Sequence, residues 1–156
     1  MATQTPAQPA EVACIITFRQ GDDPARHDNL LAVLNWLAHW PEIPVVLIEQ
    51  DKKPSLQTPL LNPNLHYQFV QNSGPFNKSW GMNVGTRLTT APWLLFHDAD
   101  IILGHALDDA LAARNQGYHA ISPFSRMLDL DPDESIRVRN GAFDWLPERA
   151  DRGWSD

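Results

Sequence analysis

The chain has 156 residues, the size of one ordinary domain at about 150 residues each, and its 43% hydrophobic and 20% charged residues exclude wholesale disorder. Twelve Lys and Arg against nineteen Asp and Glu give a formal charge of -7, which excludes a general affinity for nucleic-acid backbones. No apolar run approaches the ~18 residues of a membrane span, and the single Cys14 cannot form an internal disulfide.

Residues 1–11 carry no basic residue ahead of the short apolar stretch Val12 to Ile16. They read as a disordered lead and not as a signal peptide, in a soluble, cytoplasmic protein. Val12-Ala-Cys-Ile-Ile-Thr-Phe18 is apolar and β-branched, which predicts a strand buried on both faces, with Cys14 in the core. A loop over Arg19 to Pro24 follows. Asp23-Pro24 marks a helix start, because Asp accepts from free amides and Pro suits the first turn. Leu30, Leu34 and Leu37 share one face and carry this helix to Trp40, where Pro41 stops it.

Val45 to Gln50 reads as a second buried strand, and Pro54, Pro59 and Pro63 make residues 51–64 a loop. Tyr67 to Val70 is a short third strand, followed by a polar turn over Gln71 to Asn77. Lys78 to Leu88 has helical spacing at Met82 and Leu88, weakened by Gly81 and Gly85. Trp93 to His97 is a fourth strand, His105 to Gln116 a helix with Ala106, Leu107, Ala110 and Leu111 inward, and Ala120 to Ser122 a fifth strand. Asp131-Pro-Asp-Glu134 resembles a capped helix start carrying Ile136 and Val138 as far as Gly141. The remainder, with Trp145 and Trp154, has no period. Alternation of strand and helix predicts an α/β fold, a mainly parallel sheet with helices on both faces and right-handed crossovers.

In such a sheet, ligands bind beyond the carboxyl ends of the strands. The loops after Phe18, Gln50, Val70 and His97 therefore matter most, and they contain Arg19, Asp22, Glu49, Asp51, Phe76, Asn77, Lys78, Asp98 and Asp100. Asp98-Ala99-Asp100 is the sharpest feature, since carboxylates at i and i+2 of an extended segment project to one side and can meet one cation. Carboxylate oxygens suit Mg²⁺ or Mn²⁺, which bridge diphosphate oxygens. The same spacing at Asp129, Asp131 and Asp133 lies in a polar segment, whereas Asp98 follows an apolar strand. His97 reads as a structural or solvent-facing histidine in preference to a ligand. Arg19 presents a guanidinium fork suited to phosphate. Phe76-Asn77-Lys78 joins an aromatic face, an amide and a cation at a helix start. Neither G-x-G-x-x-G nor the P-loop pattern occurs, and Cys and His give no zinc spacing.

Taken in order, the segments ACIITFRQ, VVLIEQ, FNKSWGMNVG and LLFHDAD resemble the catalytic domain of the β-1,4-galactosyltransferase family. More broadly they are similar to inverting GT-A glycosyltransferases of the family 2 kind. The resemblance covers residues 12–104 and implies a Rossmann-like, nucleotide-sugar-binding domain over 12–125, with 126–156 a partial C-terminal extension. It implies a UDP-sugar donor, Mn²⁺ or Mg²⁺, and a saccharide or other hydroxyl acceptor. Thr17, Phe18 and Arg19 would contact the nucleotide, as would Phe76, Asn77 and Lys78 the uridine and diphosphate. Asp100 would be the metal ligand, with Asp98 on the metal, ribose or donor sugar, and Glu49 and Ala99 belong with the donor-binding residues.

Three departures stand out. Gly21 lies where the family often has a second arginine, Lys78 replaces an arginine and loses its planar fork, and no G-W-G-G-E-D-like segment is present. That segment supplies the family's acidic base, so the base stays unassigned, Asp156 included, and the acceptor part is expected to be missing. The alternatives are a catalytically incomplete nucleotide-sugar-binding module and, from the apolar strand ending in Asp98-Ala-Asp100, a haloacid dehalogenase-like phosphatase with an aspartate nucleophile.

Overall fold

A computed structural model describes residues 10–56, 62, 64–125 and 127–144. Most of the expected lead, part of the 51–64 loop, and the stretch with Trp145, Trp154 and Asp156 lie outside the described residues. The chain divides into two compact units at Ile101 and Ile102. Residues 102–125, assigned from the sequence to the donor-binding domain, thus belong to the second unit.

The first unit is a sheet of four parallel strands, β1 Val12–Phe18, β2 Val45–Asp51, β3 Leu65–Gln71 and β4 Trp93–His97, in the order β3-β2-β1-β4. The expected α/β, Rossmann-like architecture is present. β1 is buried along its whole length and β2 in all but its last residue, as the apolar runs Val12 to Ile16 and Val45 to Ile48 require of strands covered on both faces. β3 is longer than expected, because pairing with β2 runs from Leu65 to Gln71.

Side chains alternate across this sheet, and each face receives one helix. α1, Ala25–Leu37, buries Leu30, Val33, Leu34, Trp36 and Leu37, and its Trp36 ring lies 5.4 Å from that of His97. α2, Lys78–Thr86, covers the opposite face, where Val84 packs with Ile15, Val46 and Ile48. Opposite faces are what right-handed crossovers require, since the chain moves one way from β1 to β3 and returns past β1 to reach β4.

Gly81 and Gly85, which lower helix propensity, are explained by this contact. A Cβ at Gly81 would stand 2.2 Å from the Gln50 Nε2 and 2.6 Å from the Thr17 Cγ2, and one at Gly85 would stand 2.5 Å from the Ile15 Cγ2. The two glycines, one turn apart, let the helix lie directly on β1 and β2.

The start of α1 differs from the expected cap in detail. Pro24 holds the capping position without a side-chain bond, and the Asp23 carboxylate accepts from the Ala25 amide at 2.9 Å.

In the second unit, α3 spans Ala106–Ala113 and continues as one 3₁₀ turn over Arg114–Gln116. Of its expected inward residues, Leu107 is fully buried and Ala110 and Leu111 partly so. The expected strand at Ala120 to Ser122 does not form. Its residues are exposed or half-buried, Pro123 follows, and the Ser122 hydroxyl donates to the Phe124 carbonyl at 2.9 Å, a local bond that competes with a ladder. α4, Pro132–Arg139, begins with the expected capping box between Asp131 and Glu134 and ends before Gly141, whose φ is 97°.

Gly85→Ala is expected to destabilise the protein in urea unfolding. Forcing a methyl against Ile15 costs about 1–3 kcal/mol, against a helix-propensity gain of about 1 kcal/mol.

Candidate functional site

Strand order reverses between β1 and β4, so a crevice opens beyond their carboxyl ends. A cleft of about 230 Å³ lies there, lined by Thr17 and Phe18 at the end of β1 and Arg19 after it, Arg26 on α1, Phe76 and Lys78 at the start of α2, and Asp98, Ala99 and Asp100 after β4. Three chain segments that are distant in sequence thus meet at one end of the sheet, and most residues expected at a site are among them. Arg19, Arg26 and Lys78 bring positive charge to one place on a chain of net charge -7.

Arg19 is the most constrained of the three. Its Nε donates to the Gln50 carbonyl at 2.6 Å, Nη1 to the Gly74 carbonyl at 2.9 Å and Nη2 to the Asn72 carbonyl at 3.1 Å. The guanidinium carbon lies 5.9 Å from the centre of the Phe76 ring, within reach of a cation–π contact. One side chain at the end of β1 therefore ties together the end of β2 and the loop that leads to α2.

Lys78 pairs with Asp98 across the cleft, with both side chains part-exposed. Asp100 is exposed. Asp98 and Asp100 both line the cleft, but Ala99 and Asp100 form a turn where the sequence predicts an extended segment, and no cluster of three or more acidic, histidine or cysteine side chains is present among the described residues. The donor set fits a cation that keeps water and takes its remaining oxygens from a phosphate ligand, the usual habit of Mg²⁺ beside nucleotides. It does not make a closed protein cage.

Two expected donor-binding residues stand apart from the cleft. Glu49 is fully buried, where its carboxylate accepts from the Ser55 amide at 2.7 Å, the Ser55 hydroxyl, and the Tyr67 hydroxyl at 2.6 Å. Burial and then this carboxylate push the Tyr67 phenol well above its ordinary range. Glu49 is thus corrected from a ligand contact to an internal anchor of the loop after β2. Its alternation places it on the α1 face of the sheet. Asn77 caps α2, its side chain accepting from the Trp80 amide at 2.9 Å, and it does not line the cleft. Asp22 and Asp51 are absent from the lining as well.

Sequence reasoning missed Arg26 and Gln50. Arg26 falls in the first turn of the helix started by Asp23-Pro24, so the same start signal could have brought it to the strand end. Gln50 follows the apolar run Val45 to Ile48 and Glu49, and it is fully buried. Its Nε2 donates to the Asn77 carbonyl at 2.8 Å, and its Oε1 accepts from the Asn77 amide and the Asn72 side chain, each at 3.3 Å.

His97 sits directly below the acidic pair and is buried. Its Nδ1 lies 2.7 Å from the Asp98 carbonyl oxygen, an acceptor, so Nδ1 carries the proton. Nε2 is then the bare nitrogen, buried without a hydrogen-bond partner among the described residues. Burial pulls the imidazole below its usual 6.5, outweighing the nearby Asp98 and Asp100 that act the other way. The ring is a neutral core residue packed on Trp36, in agreement with the structural reading of the sequence.

No family model matches the chain, and no curated protein or solved structure is significantly similar to it. No helix among the described residues is long and apolar enough to cross a membrane.

Two measurements test this account. Arg19→Ala leaves three carbonyls without their donor and is expected to lower unfolding stability by about 1–3 kcal/mol, read by urea denaturation. Because the folded state disfavours protonation of His97, the unfolded chain binds the proton first, and stability should fall as pH drops below 6.5. A His97→Asn variant should lose this component of the pH profile of melting temperature.

Proposed function

We propose that the first unit is the donor-binding part of a GT-A-like glycosyltransferase that takes a hexose or N-acetylhexosamine from a UDP-sugar, with a divalent cation, to an acceptor hydroxyl with inversion. The observation that carries this reading is the meeting, at the switch point of a parallel sheet, of an aromatic ring, positive side chains and a D-x-D pair. Each of these has a part to take in a nucleoside diphosphate. Phe76, 38% exposed, offers a face to the base. The cationic side chains balance the diphosphate.

Asp98 and Asp100 would hold Mn²⁺ or Mg²⁺, with Asp98 also within the donor-sugar region. When bound, such a cation neutralises charge on the leaving diphosphate. The resident partner of Asp98 is Lys78, so the side chain that would meet phosphate is kept in place by the carboxylate that would meet the cation. Thr17, Phe18 and Ala99 complete the walls. Inverting transfer also needs a base for the acceptor proton, and both carboxylates of the cleft already serve the donor side in this scheme.

The expected result in calorimetry is that UDP binds with Mn²⁺ present and binds at least about tenfold more weakly to Asp100→Ala, a loss of about 1.4 kcal/mol. Absence of heat with the wild-type chain, together with no change on the substitution, overturns the proposal. UDP binding without donor hydrolysis or transfer favours the reading as a binding module over that of a complete enzyme.

A further inference from the structure

Among the three cations of the cleft, two have their head groups engaged. Arg19 donates through Nε and both terminal nitrogens to the carbonyls of Gln50, Gly74 and Asn72, and Lys78 is paired with Asp98. Arg26 lines the same cleft and is exposed. Its guanidinium has no hydrogen-bond or ion-pair partner among the described residues.

The backbone around it is arranged differently. The Ala25 amide is taken by the Asp23 carboxylate, and the Arg26 and His27 amides by the Asp23 and Pro24 carbonyls at 3.2 Å. The start of α1 therefore offers an anion this side chain and not a set of open amides. Gly21 turns the chain between β1 and α1 with φ 59°, and a Cβ there would already touch the Arg26 Nη1 at 3.5 Å. The guanidinium thus lies beside a turn whose positive φ favours glycine.

Building on the donor-binding reading above, we infer that Arg26, and not Arg19, is the arginine that grips the diphosphate. Arg19 is a positioning residue that holds the loop carrying Phe76, and the fork suited to two phosphate oxygens comes from the first turn of α1. Position 21 is glycine, and the guanidinium that lines the cleft comes from five residues further along the chain.

The experiment is a titration of the full chain, its Arg26→Ala variant and its Arg26→Lys variant with UDP and with inorganic diphosphate in Mg²⁺ buffer, with melting temperatures measured alongside. The expected result is that the wild type binds both probes and that Arg26→Ala loses at least about tenfold on both, with unchanged melting temperature. Arg26→Lys should fall between them, since it keeps the charge without the fork. Equal UDP affinity of wild type and Arg26→Ala overturns the inference and leaves the donor-binding reading standing. Arg26-dependent binding of diphosphate with no gain for UDP upholds the arginine's role and overturns the uridine-nucleotide reading. A wild type that binds neither probe overturns both.

Discussion

The buried amide of Gln50 is the joint on which the site depends. It lies one residue before the end of β2, and its side chain holds both the amide and the carbonyl of Asn77 and the side chain of Asn72, while its own carbonyl receives Arg19. A buried amide has to be satisfied, and leaving it unpaired costs about 1–3 kcal/mol. Satisfaction here requires the loop before α2 to fold back over the sheet. Asn72 then bonds the Gly74 amide and the Pro75 carbonyl, and Phe76 comes to rest beside the Arg19 guanidinium. The entry to α2, and with it Lys78, is thereby fixed against β2 before any ligand is considered.

The same constraint connects to the glycines of α2. Gly81 leaves room for the Gln50 side chain and for Thr17, and Gly85 for Ile15. A helix held further from the sheet could not place its first residue beside Asp98, one strand beyond β1. Packing on the covered face and charge pairing at its end are thus parts of one arrangement, in which missing side chains on a helix are as consequential as the polar ones at its start.

Much of this was legible in the sequence, for physical reasons that differ from element to element. β1 and β2 are plain because strands covered on both faces have runs such as Val12 to Ile16 and Val45 to Ile48 that are apolar on both, and Trp93 to His97 because its apolar run ends abruptly before Asp98. The capping box at Asp131 was visible because its chemistry is local. What escaped depends on contacts between residues far apart in sequence. The helical glycines lower helix propensity in the sequence alone, and their reason lies in the opposing Ile15 and Thr17. Glu49 looked like a strand-end ligand until alternation put it on the α1 face beside Tyr67 and Ser55. Ala120 to Ser122 had strand-like composition and no ladder, since a Ser122 bond to Phe124 served instead. Arg26 was hidden because a helix start announces its cap and not the direction of the next side chain.

The parallel topology has a further meaning for the birth of the molecule. Within this sheet β1 is synthesised before its partners, yet one of its two edges is paired by β4, with Val12 beside Trp93. Strands β1, β2 and β3 can assemble in order as they emerge, whereas the reversal of direction waits until His97 has been synthesised. Long-range parallel pairing is slow to form and leaves strand edges open in the meantime. Of the four described strands β4 is consequently the last to be paired, and the residues that line the cleft at the ends of β1 and β4 meet only once the other three strands have been made.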